Sequence, residues 1–267
     1  MATLAAGEAR ILSGGTDFYP ALGDRVVREA VVDVSGLGEL RGVSNETDYI
    51  RIGGLTTWSE IMRTPLPRCF DALKSAAREV GSVQIQNRGT MAGNLCNASP
   101  AADGVPPLLA LDAEVELASQ RGVRRIPLAD FIVGNRKTQR KPDEILTAVL
   151  VPRVLEDAAS TFVKLGARRY LVISISMVAV VLLLQDKRQV LEARVAVGSC
   201  SAVAQRLRVL EAELVGASVS EGLGAVVRRE HLAPLSPIDD VRATAEYRMD
   251  ASLRLVQRAL NSCVENG

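Results

Sequence analysis

The sequence predicts an α+β protein with two domains: an α/β domain over residues 1–155, itself in two sub-parts of about 1–40 and 41–155, and a smaller domain over 156–267. Three observations carry this. Short apolar runs end twice in a Gly-Gly turn followed by a hydroxyl, at Gly14-Gly15-Thr16 and at Gly53-Gly54-Leu55-Thr56. A stretch of small residues, amides and hydroxyls from Asn87 to Asp103 lies between two helical segments. After about residue 156 the texture changes to three β-like segments separated by turns, which suggests an antiparallel sheet followed by helices.

Taken in order, Ala9 to Ser13 is a short strand leading into Gly14-Gly15-Thr16-Asp17. A strand that ends in two glycines, a hydroxyl and a carboxylate is a strand-to-helix turn able to hold phosphate oxygens on backbone N–H groups. It is neither a GxGxxG nor a P-loop pattern. Ala30 to Val34 is a second strand, followed by a turn from Ser35 to Gly38, and Tyr49 to Gly53 alternates like a third. Trp58 to Met62 begins a helix after the second Gly-Gly turn, and two such turns in one small domain suggest that both face one ligand.

Cys69 to Val80 reads as a helix with Leu73, Ala76, Ala77 and Val80 on one face. Pro106 to Leu111 is a short helix with proline in its first turn. Glu114 to Leu117 and Val123 to Ile126 form a hairpin around Gln120-Arg121-Gly122. Leu128 to Phe131 is a short element, and Gly134 to Lys141 is a basic, polar loop expected to be solvated. Glu144 to Pro152 is a strand ended by proline, and Leu155 to Ala159 is a candidate linker. Beyond it, Ser160–Lys164, Ser174–Leu184 and Glu192–Val197 form a three-stranded meander, with helices at Ala204–Leu214 and Ala243–Leu260.

The stretch from Asn87 to Asp103 organises the chain. Gly89, Ala92, Gly93, Ala98, Ala101 and Ala102 leave room against the backbone, while Thr90, Asn94, Asn97, Ser99 and Asp103 supply donors and acceptors in the same space. A buried turn needs glycine for positive φ but not this many polar side chains. Exposed N–H groups beside hydroxyls and amides form the concavity that a diphosphate takes.

Composition excludes several classes. A net charge of +1 and 3% aromatics give no ground for expecting nucleic acid or an anionic membrane. Cys69, Cys96, Cys200 and Cys263 are far apart, so this chain alone offers no zinc or iron–sulfur spacing. Free thiols and no signal peptide at the start point to a reducing cytoplasm. The longest apolar run, Val172 to Leu184, is broken by Ser174 and Ser176 and is too short for a membrane span. His231 is the only histidine; it sits in the polar loop HLAPLSP and is expected at the surface, with no nucleophile elbow to serve.

Together LSGGTDFYP (12–20), IGGLTTWSEI (52–61), QIQNRGTMAGNLCNASPAAD (84–103), PLLALDAEVEL (107–117), GNRKTQRKPDEIL (134–146), FVKLGARR (162–169) and ISISMVAV (173–180) resemble the FAD-binding subunit of the molybdenum hydroxylases. That family includes the xanthine dehydrogenases and the carbon monoxide dehydrogenase flavoprotein, and the match continues in order to RATAEYRMD (242–250). The resemblance implies a PCMH-type FAD-binding domain followed by a flavoprotein C-terminal domain. It implies FAD in this chain, with molybdopterin in a large partner subunit and [2Fe-2S] clusters in a small one, assembled as a dimer of heterotrimers. Electrons would pass from the clusters through FAD to NAD⁺, a quinone or oxygen.

Carried over on the matching motifs, Leu12, Ser13, Gly14, Gly15, Thr16, Asp17 and Phe18 would cradle the diphosphate. Ile52, Gly53, Thr90, Gly93, Asn94, Asp103, Leu146 and Lys164 would also lie at the cofactor, with Asp103 accepting from a sugar hydroxyl and Lys164 offsetting negative charge. The resemblance supplies no catalytic residue and no metal ligand in this chain. Ala92 stands where relatives often have glycine, a cost of about 1 kcal/mol if the backbone there needs positive φ. Only about ten residues precede the first Gly-Gly turn, where relatives usually have a strand and a helix. Two other readings are a stand-alone flavin-dependent oxidoreductase and an FAD-free scaffold.

Overall fold

The computed structural model describes Leu4 and residues 9–265. Strand β1 (Ala9–Leu12) pairs in parallel with β2 (Ala30–Asp33). Parallel neighbours need a crossover, and the Phe18–Leu22 helix lies within it. The residues before β1 that bear on the short N-terminus lie outside the described residues, apart from Leu4.

The next strands are β3 (Val43–Asn45), β4 (Tyr49–Gly53), β5 (Glu114–Ser119), β6 (Gly122–Pro127), β7 (Ile132–Gly134), β8 (Lys137–Thr138) and β9 (Ile145–Pro152). Five of them form one antiparallel sheet in the order β3-β4-β9-β5-β6. β9 is central, which explains its near-continuous apolar run, ILTAVLVP. Ser119 pairs with Gly122, so the hairpin closes on Gln120-Arg121, and Gly122 takes φ 121°. β3 has three residues, too few for any period to show in the sequence.

The Gly134–Lys141 stretch is solvent-facing as expected, with no buried residue, but it is ordered as part of the β7–β8 hairpin, which Gly134 and Lys137 close. One expectation about loops fails. Leu155 to Ala159 is not an exposed linker, because Leu155 and Ala158 are buried in the core and Ala159 starts the next strand.

The second sheet is the meander β10 (Ala159–Leu165), β11 (Ser176–Gln185) and β12 (Gln189–Gly198), with the two-residue β13 (Gln205–Arg206) added at its edge. β11 is buried on both faces. Alternate side chains of a strand point to opposite sides, and Met177, Ala179 and Val181 join the core of the first part. Val178, Val180 and Leu182 join a second core with Leu255, Val256, Ala259 and Leu260 of the Ala245–Glu265 helix. The meander is therefore the wall shared by both cores. Buried polar ties reinforce it: Ser160 Oγ donates to Arg68 O and accepts from Ala72 N–H, each at 2.9 Å. Among the described residues no helix is long and apolar enough to cross a membrane.

His231 is buried, not at the surface, with 2% of its area exposed. The turn Arg229–Leu232 folds inward, and the imidazole finds two partners there. Its Nδ1 accepts from Arg228 N–H at 3.0 Å, and Nε2 faces Glu213 Oε1 at 3.3 Å. A polar loop sequence is no guarantee of exposure once each ring nitrogen has a partner.

Candidate cofactor cleft

The first Gly-Gly turn and the organising stretch are pressed together. A Cβ on Gly14 would lie 2.0 Å from Arg88 O, so only glycine lets the two backbones approach. Ser13 Oγ lies 3.1 Å from Thr90 Oγ1. Thr90 is the N-cap of the Met91–Asn97 helix, and its Oγ1 accepts from Gly93 N–H at 3.0 Å. The second Gly-Gly turn grips the same helix from another side: Met91 N–H donates to Thr56 O at 2.9 Å and Ala92 N–H to Gly54 O at 2.8 Å.

These segments wall a cleft of about 840 Å³, within the range of sites that hold a whole small ligand. Its lining includes Leu12 to Phe18 without a break, then Thr90, Gly93, Asn94 and Leu146. Four expected residues are not in the lining. Ile52 is fully buried in the sheet, and a Cβ on Gly53 would lie 2.3 Å from Leu40 O. The second turn instead contributes Leu55 and Trp58 to the wall. Asp103 and Lys164 are buried and paired, Lys164 Nζ donating to Asp103 Oδ2 at 2.7 Å and to Glu79 O at 3.3 Å. Ser174 Oγ donates to Asp103 Oδ1 at 2.7 Å. Burial pushes the Asp103 carboxyl up, against the pull of Lys164 and Ser174.

Ala92 also lines the cleft, inside the Met91–Asn97 helix, and is not among the residues with positive φ. Alanine is therefore unstrained there. The left-handed residue is Ala98, at φ 47°, where the helix ends.

The Gly134–Lys141 stretch supplies residues that sequence reasoning did not select. Arg136, Lys137, Thr138 and Arg140 line the cleft, and Arg10 lines it from β1. Arg140 donates to the carbonyls of Lys141, Pro142 and Glu144, which leave its charge unneutralised. The signal was present in the basic run NRKTQRK, but nothing local says which way a basic loop turns. Cys96 is in the lining as well, and burial pushes its thiol up to about 11.

The cleft suits a long, polar, anionic ligand with an apolar end. Backbone and hydroxyls of the first turn share the lining with the cations Arg10, Arg136, Lys137 and Arg140, and Ile11, Leu55, Trp58 and Ile145 add apolar wall. Asn94 gives the most specific indication. Its Oδ1 is buried and has no hydrogen-bond partner among the described residues. Asn94 lines the cleft, and a buried acceptor without a partner is uncommon in a protein interior. The glycines fit too: a Cβ on Gly93 would lie 2.9 Å from Thr90 Oγ1 and 3.3 Å from Ser13 Oγ, filling the gap between them. The residues present therefore fit a flavin dinucleotide.

Comparison with known proteins agrees. The family described as the FAD binding domain in molybdopterin dehydrogenase matches residues 1–154, and the CO dehydrogenase flavoprotein C-terminal domain matches residues 161–263. The chain belongs to the FAD-binding subunits of the molybdenum hydroxylases. The nicotinate dehydrogenase FAD-subunit of Eubacterium barkeri is 41% identical over 170 residues, 62% of this chain and 57% of that one. The putative xanthine dehydrogenase FAD-binding subunit of Escherichia coli K12 is 31% identical over 96% of this chain and 89% of its own. Among solved structures, carbon monoxide dehydrogenase from Hydrogenophaga pseudoflava superposes with a TM-score of 0.91 at 25% identity, covering 99% of this chain and 93% of that one. Quinoline 2-oxidoreductase from Pseudomonas putida 86 gives 0.90 at 26% identity, covering 99% and 92%. The α+β fold and the FAD-binding, oxidoreductase family expected from the motifs are thus those of the molecule.

Proposed function

We propose that this chain is the electron-relay subunit of a molybdenum hydroxylase acting in the cytoplasm. FAD held in the cleft would take electrons from the [2Fe-2S] clusters of a small partner subunit and pass them to NAD⁺, a quinone or oxygen. A large partner with molybdopterin would oxidise the substrate, in a dimer of heterotrimers.

The observation that carries this reading is the unpartnered buried acceptor of Asn94 in a glycine-walled cleft whose lining includes Arg10, Arg136, Lys137 and Arg140. Bound FAD supplies two-electron and one-electron chemistry in one group. The chain's own part is to bind and orient it. Leu12 to Phe18 and Gly93 would hold the diphosphate against backbone, and Lys137 and Arg140 would balance its charge. Leu146, Leu55 and Trp58 would cover the apolar ring system. Asp103 and Lys164 would support the floor through their mutual bond, outside direct contact. All four cysteines are free, as suits a reducing compartment.

The test is to purify the chain with its tagged neighbours and separately alone. A complex with a larger molybdopterin chain and a small iron–sulfur chain supports the reading, as does flavin reduction by the complex's substrate. Hydroxylation of a purine, aldehyde or N-heterocycle by this chain alone would refute the relay role.

A further inference from the structure

Arg136 and Asp17 meet at the rim of the cleft. Arg136 Nη1 donates to Asp17 Oδ2 at 3.0 Å and also to Asn97 Oδ1. The Arg136 backbone N–H donates to Ala98 O at 2.9 Å. All three side chains line the cleft, and Arg136 and Asp17 remain 58% and 52% exposed, which puts them at its mouth and not its floor. The contact ties together the first Gly-Gly turn, the end of the Met91–Asn97 helix and the β7–β8 hairpin. These segments lie far apart in the chain and form separate parts of the cleft wall.

Both residues give up a local preference to make this contact. Asp17 occupies the N-cap position of the Phe18–Leu22 helix, where a carboxylate ordinarily accepts from a helix N–H. It makes no such bond, and its carboxylate turns to Arg136. Arg136 is held at φ 54°, in the left-handed region that residues with a Cβ adopt at a cost. A backbone outlier of this kind at a cleft is a reason to look for function.

An exposed ion pair adds little to the stability of a whole fold. It acts differently at a mouth, because it must break before the walls can part. We propose that Arg136 is a strap that, with Asp17 and Asn97, closes the cleft over its bound dinucleotide and sets the rate of release. The strap also neutralises Asp17, so the rim offers no bare carboxylate to a diphosphate. This rests on the reading of the cleft as the FAD site.

The experiment uses the full chain loaded with FAD. Release is followed by the rise in flavin fluorescence after dilution, for the parent, Arg136→Gly, Asp17→Ala and the double variant. Glycine accepts the left-handed backbone, so Arg136→Gly removes the strap while relieving the strain. Each single variant should release FAD about three- to fivefold faster. The double variant should be no faster than Arg136→Gly alone, because Asp17 has no strap contact left to lose once the guanidinium is gone. The flavin-free Arg136→Gly chain should melt no lower than the parent, which a purely structural arginine would not allow. If Arg136→Gly does not fold, Asp17→Ala carries the same release prediction. Unchanged release in the variants, or effects that multiply in the double variant, would overturn the strap alone. A parent that takes up no FAD would overturn the cleft reading and the strap with it.

Discussion

Lys164 Nζ sits 2.7 Å from Asp103 Oδ2 with both side chains nearly closed to solvent, at 6% and 9% exposure. Lys164 belongs to β10 and Asp103 to the segment after the Met91–Asn97 helix, so the pair pins the meander to the cleft-bearing part. Removing one partner leaves the other charge buried and alone, which costs about 3–5 kcal/mol. Asp103→Ala should therefore lower stability by roughly that amount in urea unfolding. Replacing both residues with apolar ones of similar size should cost far less. Equal losses in the single and double variants would contradict the pairing.

Asn94 and Thr90 should separate binding from folding. Asn94 Oδ1 has no partner to lose, so Asn94→Ala should leave unfolding unchanged and weaken FAD by about 0.5–1.5 kcal/mol. Thr90 caps the Met91–Asn97 helix, so Thr90→Ala should also cost about 1 kcal/mol of stability. FAD titration and thermal melts of both variants check this.

Acid should weaken the C-terminal part through Asp240. Its carboxylate accepts from Arg242 and from the buried Arg248, and the hydrogen bonds from Arg242 hold its carboxyl well below the usual range. A depressed pKa in the folded state gives stability that is fully present above the unfolded value, near 3.8, and is lost as pH falls below it. Asp240→Asn should be less stable than the parent at neutral pH. The gap should shrink as pH falls below about 4 in equilibrium unfolding.

FAD should be held non-covalently. Cys96 is the only thiol in the cleft lining, and burial raises it to about 11, so it carries almost no thiolate at neutral pH. Acid precipitation should leave all the flavin in the supernatant, and yellow colour kept in the pellet would contradict this.

Much of this molecule is legible from its residues, and the exceptions share a cause. The Leu12–Phe18 turn announces itself because strand, glycines and hydroxyl are contiguous, and the meander because its turns are local. What escapes is direction. Nothing in NRKTQRK says that Arg136 reaches Asp17, since that depends on the β7–β8 turn and on Ala98 at φ 47°. His231 looked solvated for the same reason: its partners, Arg228 N–H and Glu213, become partners only when the Arg208–Leu214 helix and the Arg229–Leu232 turn pack together. The second Gly-Gly turn resembles the first in sequence, yet its glycines are there for backbone contact with Leu40 and Leu146.

The central claim is that the cleft beneath Asn94 holds FAD, and a titration tests it most directly. The flavin-free chain is titrated with FAD while flavin fluorescence and the flavin absorption bands are followed. The account predicts saturation at one FAD per chain, with fluorescence quenched or shifted on binding and with weaker binding in Asn94→Ala. Flavin that behaves as free cofactor throughout, or binding that Asn94→Ala leaves untouched, would contradict it.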